Sequence, residues 1–323
     1  MIPMMGKSMK EMLDKWSKMS NASGKVEIEV SEMFSTLAED VITRIVFGNS
    51  YEDGKAIFEL QAQQMVYATE AYQKVFIPGY RFLPSKKNRI CWRLDKEVRK
   101  SLRKLIEERR KIDEAVLSEE CPNDLLEVMI KAGKHTTSNL LTWTTILLAM
   151  HPQWQELARD EVLTVCGARD PPSKHQISKL KTLGMIINES VRLYPPAVAA
   201  IRRAKVDTQL GDFTLPRGTE LLIPIIAIHH DQTLWGQDAN EFNPARFGLG
   251  VAQAAKHPMA FMPFGLGARR CVGQNLAVLQ AKLAIAMILQ RFSFDLSPSY
   301  QHAPTILMLL CPQYGAPIIF QKL

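Results

Sequence analysis

One stretch of this 323-residue chain concentrates residue types able to hold a reactive metal: residues 264–273, reading FGLGARRCVG. Gly265, Gly267 and Gly273 bracket Cys271, which stands just before a run, residues 272–292, apolar on most faces and so expected to form a buried helix. A helix N-terminus presents unpaired N–H groups and partial positive charge, both of which favour a thiolate. Glycine lets backbone approach a flat ligand closely and aim amides at the sulfur. Arg269 adds a cation able to pair with an anionic group on that ligand. Phe264 can pack beside the sulfur and keep water away. A thiolate so placed suits an iron ligand that pushes electron density toward bound oxygen and favours O–O cleavage. A lone cysteine in a glycine-rich turn is more often a packing residue. Here, however, the whole spacing F-x-x-G-x-R-x-C-x-G is present.

Other constellations stand at a distance along the chain. Glu189 and Arg192 are spaced to share one helix face and can pair; alone, such a pair is common and weak. It is followed by RLYPP and later by FNPARF, which contains Arg246. Residues 132–137, AGKHTT, form a polar break between apolar flanks. The Thr136 hydroxyl can bond an oxygen ligand and pass protons, or bond back to its own helix. Arg202 and Arg203 follow the proline pair.

The elements that must position these residues are mainly helical. Helical spacing of apolar residues covers 28–47 and 56–72, with an irregular break at 77–84. Residues 94–117 make a long basic helix, whose charge run is chiefly a solvated face. Residues 125–150 read as one helix, as do 154–165 and 177–193, the last stopped by Pro195 and Pro196. Short alternating strands fill 200–224, with turns at Gly211 and at 216–218. A loop-rich stretch follows to Pro263, and strand-like runs occupy 305–311 and 316–320.

Taken together, the cysteine loop, E-x-x-R, Arg246 and the threonine pair resemble the cytochrome P-450 family. The fold class expected is therefore mainly α with a minor β region, a partial cytochrome P-450 fold. The resemblance implies that Cys271 is the axial ligand of a haem iron. It implies that Phe264, Gly267, Arg269 and Gly273 shape the proximal loop, and that Thr136 handles oxygen and protons. Glu189, Arg192 and Arg246 become a structural charge network. One of Arg202 and Arg203, or less readily His229, meets a haem propionate. Val198, Ala199, Ile201 and residues 307–309 match places where the family lines its substrate pocket. His135 stands where the family usually has an acid. Segments such as LKTLGMIINESVRLYPPAVAAIRRAKVD look like the plant branch that inactivates brassinosteroids by oxidising the side chain at C-26. Implied with the family are an apolar substrate, electrons from NADPH through a flavoprotein reductase (NADPH-cytochrome reductase), and the cytosolic face of the endoplasmic reticulum membrane, with the cytosol as the alternative for a chain in which no anchor is found.

Two departures shape the expected domain, a single incomplete one over residues 1–323. Nothing in the chain matches the family's N-terminal anchor, early sheet and first helices, including a W-x-x-x-R helix; Trp92 with Lys96 falls in a later region. In addition, NDLLEVMI runs straight into KAGKHTT, which implies a deletion near residues 130–132. These losses frame the alternative, an inactive relative that does not complete a haem site. Composition bounds the rest. The net charge of +7 admits an anionic membrane surface or an acidic partner, but no nucleic-acid motif accompanies it. Five cysteines, an odd number without a C-x-x-C pair, argue against a disulfide framework or a zinc site. No run of about 18 uninterrupted apolar residues marks a membrane span.

Overall fold

The computed structural model describes residues 2–47, 59–60, 63–64, 67, 84–113, 123–168 and 170–323, with backbone alone at 45–47, 102–113 and 123–133. The expected helix at 56–72 and the break at 77–84 lie almost wholly outside the described residues. The chain forms two compact units, Met1–Ser8 with Ser35–His135 and Met9–Phe34 with Thr136–Leu323.

Its elements begin with helix α1 (Ile2–Met19), strand β1 (Lys25–Glu29) and helix α2 (Val30–Phe47), followed by α3 (Lys86–Asp113) and α4 (Asn123–Met150). The expected helix 28–47 therefore starts later. Val26 and Ile28 alternate with exposed neighbours as a strand requires, and the Glu29 carboxylate accepts the Glu32 N–H at 2.8 Å to open α2. The basic helix α3 starts earlier than the charge pattern suggested. It buries Leu94 and Val98, while the described lysines and arginines from Lys86 to Lys100 stay exposed. In the first unit, Lys134 of α4 pairs with Glu39 of α2.

The second unit carries the chemistry-bearing residues. Its helices are α5 (Pro152–Cys166), α6 (Lys174–Lys179) and α7 (Lys181–Leu193), then α8 (Ile225–His229), α9 (Gln232–Trp235) and α10 (Gln274–Leu289). Its further strands are β2 (Ala200–Arg203), β3 (Thr208–Leu210), β4 (Phe213–Leu215), β5 (Glu220–Ile223), β6 (Phe292–Leu296), β7 (Pro304–Ile306), β8 (Leu310–Pro312) and β9 (Pro317–Lys322). Antiparallel pairing gives one three-stranded sheet, β1-β9-β6, and the hairpin-like pairs β2-β5, β3-β4 and β7-β8. The run 305–311 thus folds back on itself rather than forming one strand. Trp16 closes the three-stranded sheet from one side, its ring 4.6 Å from Phe320 and 6.2 Å from Phe292.

Helices α5, α7 and α10 pack against one another. The expected helix 177–193 is two helices parted at Leu180, whose backbone leaves the helical region (ψ 87°). Ser173 and Gln176 form a capping box that starts α6. The start of α7 is capped from another element. The Glu161 carboxylate of α5 accepts the N–H groups of Lys181, Thr182 and Leu183 at 2.8, 2.8 and 3.0 Å. Lys282 of α10 donates to the Leu180 carbonyl at 2.8 Å, and burial lowers its pKa. Three helices thereby share one polar joint. Helix α10 begins at Gln274, two residues later than its apolar run, and is buried from Gln280 to Leu289 save for half-buried Lys282. Its first two turns are only half-covered. Among the described residues, no helix is long and apolar enough to cross a membrane.

Because Glu161 satisfies three otherwise orphaned amides, Glu161→Ala is expected to lower the unfolding free energy by about 1–2 kcal/mol. Glu156→Ala, on the same helix but exposed, should cost under about 0.5 kcal/mol. Urea denaturation of the two variants measures the difference.

Candidate functional site

Helix α7 delivers Glu189 and Arg192 into the core, and both side chains are fully buried. The guanidinium grips the carboxylate with two bonds, Nε to Oε2 at 2.7 Å and Nη2 to Oε1 at 2.8 Å. Its other hydrogens go to the carbonyls of His229, Ala239 and Glu241, at 2.7, 2.6 and 3.2 Å. All five donors of the arginine are thus used, and its cation lies 5.0 Å from the centre of the Trp235 ring. Glu189 Oε1 also accepts from Arg246 Nε at 3.1 Å and from the Asn243 amide at 2.9 Å. Arg246 reaches onward to the Asp238 carboxylate at 2.8 Å. Asp238 is held below the usual carboxylate range by the Asn243 side chain and by Arg246. The structure brings Glu189, Arg192 and Arg246 together in one network, and further residues join them. Asp238, Asn243 and Trp235 belong to it, although nothing in their spacing set them apart.

His229 is a joint of the core, with both ring nitrogens engaged by backbone groups. It is fully buried. Its Nδ1 stands 3.0 Å from the Arg192 carbonyl, and its Nε2 receives the Met262 amide at 3.1 Å. These partners set the tautomer: Nδ1 carries the hydrogen and Nε2 is the acceptor. Burial pushes the pKa down to about 3, aided by the Arg192 charge and opposed by the Arg192 carbonyl. The neutral ring thus links the charge network to the residue that opens the cysteine loop.

From Met262 the loop is shaped by its own backbone. Gly265 N–H bonds the Met262 carbonyl at 3.0 Å, Arg270 N–H bonds Gly267 at 3.1 Å, and Cys271 N–H closes back onto Phe264 at 2.8 Å. Gly265 and Gly267 sit at φ 70° and 65°, the left-handed region that suits glycine. A Cβ on Gly273 would stand 3.9 Å from Cys271 Sγ. Cys271 is a free, exposed thiol, Val272 beside it is 65% exposed, and Phe264 is half-buried. Arg269 is exposed.

The two arginines that the sequence left equivalent are separated by strand alternation. Arg202 is half-buried, and its Nη2 lies 3.8 Å from where a Gly265 Cβ would be, so it faces the cysteine loop. Arg203 is exposed and bonds the Gly218 carbonyl at 3.1 Å. Thr136 is half-buried on α4, just before buried Thr137 and Ser138. Burial lowers the pKa of neighbouring His135, with Lys134 adding to the effect.

This arrangement fits one particular kind of ligand. Among the described residues, no three His, Cys, Asp or Glu side chains converge to hold a metal ion. A metal that brings most of its own donors, as in a macrocycle, fits this single sulfur. The single sulfur is uncovered, apolar side chains flank it, and Arg202 offers a cation for an anionic substituent.

Two changes test the network. Glu189→Ala leaves two arginines facing a buried void and should cost about 3–5 kcal/mol in denaturant unfolding. His229 favours its neutral form in the fold, while the unfolded chain takes up a proton below a pKa of about 6.5. Stability from this group is therefore complete above pH ~6.5 and declines as pH falls toward ~3, by a few kcal/mol in total. His229→Phe should flatten this part of the acid limb and lower stability at neutral pH by about 2–4 kcal/mol, since two buried partners are left unpaired.

The comparisons with known proteins agree with this geometry. A family model described as Cytochrome P-450 matches residues 1–132 and 113–320. Cytochrome P-450 734A1 of Arabidopsis thaliana is 60% identical over 100% of the chain. Cytochrome P-450 734A6 of Oryza sativa subsp. japonica is 56% identical over 99% of it, and cytochrome P-450 72A397 of Kalopanax septemlobus 42% over 100%. The chain spans 66% of the length of the first two relatives and 67% of the third. With its cysteine loop and buried E-x-x-R cluster in place and the family matched along nearly its whole length, the chain belongs to the cytochrome P-450 family.

Proposed function

We propose that the chain serves a haem-thiolate monooxygenase that hydroxylates an apolar small molecule, a steroid of the brassinosteroid type. The observation that carries this reading is the uncovered thiol of Cys271 in its glycine loop, braced through His229 by the Glu189–Arg192 pair. The haem, once bound, supplies the oxidising iron and activates dioxygen with two electrons. The protein's own residues then have separate tasks. Cys271 holds the iron as a thiolate. Gly265, Gly267 and Gly273 keep side chains off the ligand plane, and Phe264 shields the sulfur from water. Arg202 and Arg269 meet the anionic substituents. The Thr136 hydroxyl accepts a hydrogen bond or passes a proton on the oxygen side. Ile201, Leu307 and Met308, exposed apolar surface in this chain, and half-buried Leu309 contribute to the substrate wall.

The brassinosteroid assignment rests on the segments shared with the plant C-26-oxidising branch, and the high identity to two 734A relatives supports it. Electrons come from NADPH through a flavoprotein reductase, which the basic helix α3 and Arg269 with Arg270 are suited to meet. The site of action is the cytosolic face of the endoplasmic reticulum membrane. The chain is one incomplete cytochrome P-450 domain with a segment missing near residues 130–132. In support, the alignment to the Arabidopsis relative runs over 345 residues against a chain of 323.

A carbon-monoxide difference spectrum of the reduced chain tests the reading. A thiolate-type Soret band is expected, and it should disappear in Cys271→Ser with haem uptake strongly reduced. Absence of haem binding by the unmodified chain would end the proposal for this polypeptide. Conversion of a brassinosteroid to its C-26 hydroxylated product, with reductase and NADPH present, tests the substrate.

A further inference from the structure

The β7-β8 hairpin is held by a cluster of rings that the chemistry above does not use. Trp143, fully buried on α4, donates its indole N–H to the Leu310 carbonyl at 3.0 Å. The Leu310 amide bonds the Pro196 carbonyl at 3.0 Å. Both backbone groups of this one buried residue are therefore held by other elements. The Trp143 ring stacks on Tyr194 with centroids 4.1 Å apart and planes 10° from parallel. Tyr194 in turn bonds His302 Nε2 at 2.9 Å, while Tyr300 bonds His302 Nδ1 at 2.8 Å. His302 stands two residues before the start of β7, and Leu310 opens β8. Both strands of the hairpin are thus anchored at their bases or turn-side ends to α4 and to the segment after α7. Beyond these anchors the turn stands free, with Ile306, Leu307 and Met308 54%, 48% and 47% exposed.

We propose that Trp143 is a positioning residue for substrate selectivity: by clamping Leu310 against the Pro196 segment, it sets how far the apolar turn 307–309 projects toward the ligand. This rests on the monooxygenase reading only in taking that turn as substrate wall. The ring stack alone cannot do the same work, because it leaves the Leu310 carbonyl, buried and otherwise unpaired with α4, free to shift. Pro196 runs directly into Val198, whose carbonyl accepts the Ile226 amide at 3.0 Å. The clamp therefore ties two stretches of apolar wall, 198–201 and 307–309, to one indole.

The test compares the full chain with Trp143→Phe, which keeps a ring against Tyr194 and deletes the N–H. Tyr194→Phe serves as the second variant, keeping the stack and deleting the bond to His302. Hydrogen exchange across residues 304–312 should quicken about three- to tenfold in each, the scale of one lost hydrogen bond. Residues 181–193 and 274–289 should keep their original rates. In the haem-loaded protein, the ratio of affinities for butylimidazole and dodecylimidazole, read from the Soret shift, should change several-fold while the reduced carbon-monoxide band stays in place. Unchanged exchange in Trp143→Phe would overturn the clamp, whatever Tyr194→Phe does. Faster exchange with an unchanged affinity ratio would overturn its role in selectivity. Exchange is read with or without haem, so a chain that takes up no haem sinks the monooxygenase reading and leaves the clamp to stand or fall on its exchange rates.

Discussion

The pairing of Glu189 with Arg192 in the core is the constraint on which the rest of this structure depends. Two opposite charges without solvent are costly unless every donor and acceptor is used. Here that demand recruits the carbonyls of His229, Ala239 and Glu241 and the amide of Asn243. Those groups belong to segments without long helices or strands. The loop-rich stretch between α8 and the cysteine loop is built of short, locally bonded turns, and the buried guanidinium ties several of them together. Trp235, Ala239, Phe247 and Ala260 then form a small apolar core behind it.

The same constraint reaches the thiol through a single neutral imidazole. A protonated His229 would lose its acceptor and place a second cation beside Arg192, so burial and function ask for the same protonation state. The polar joint among α5, α7 and α10 holds the other end of α7 in a comparable way. Glu161 and Lys282 meet the helix start while Glu189 and Arg192 anchor its last turns. Helix α10, which follows Cys271, is thereby referenced to the helix that bears the charge pair. The cysteine loop is held at both ends by polar contacts that apolar packing alone would not orient.

The order of contacts also explains why the cysteine loop is well formed. Its backbone turns are local, closing within ten residues of one another, and need only glycine at two left-handed positions. The β2-β5 pair adds Arg202 at the register that faces the loop, since neighbouring strand residues point to opposite sides. Ile201 and Leu222, paired across these strands, leave exposed apolar surface on the opposite face, and Val272 next to Cys271 is exposed as well.

Much of this was legible in the sequence, for identifiable reasons. Local rules reached the mainly helical class, the turns at Gly211 and 216–218, and the stop of α7 at its proline pair, because each depends on a few adjacent residues. The spacing of the cysteine loop and of E-x-x-R pointed to the family and to the residues that matter. What required the tertiary structure was every choice between chemically equal candidates. Arg202 and Arg203 differ only by which side of a strand they occupy, and His229 differs from a surface histidine only by what surrounds it. The start of α2 at Val30 depended on strand pairing with a segment some 290 residues away, and the folding back of 305–311 on contacts with α4. Residue types and spacing determined which chemistry this chain can hold. Long-range hydrogen bonding and burial, which no local pattern encodes, decided which side chains hold it.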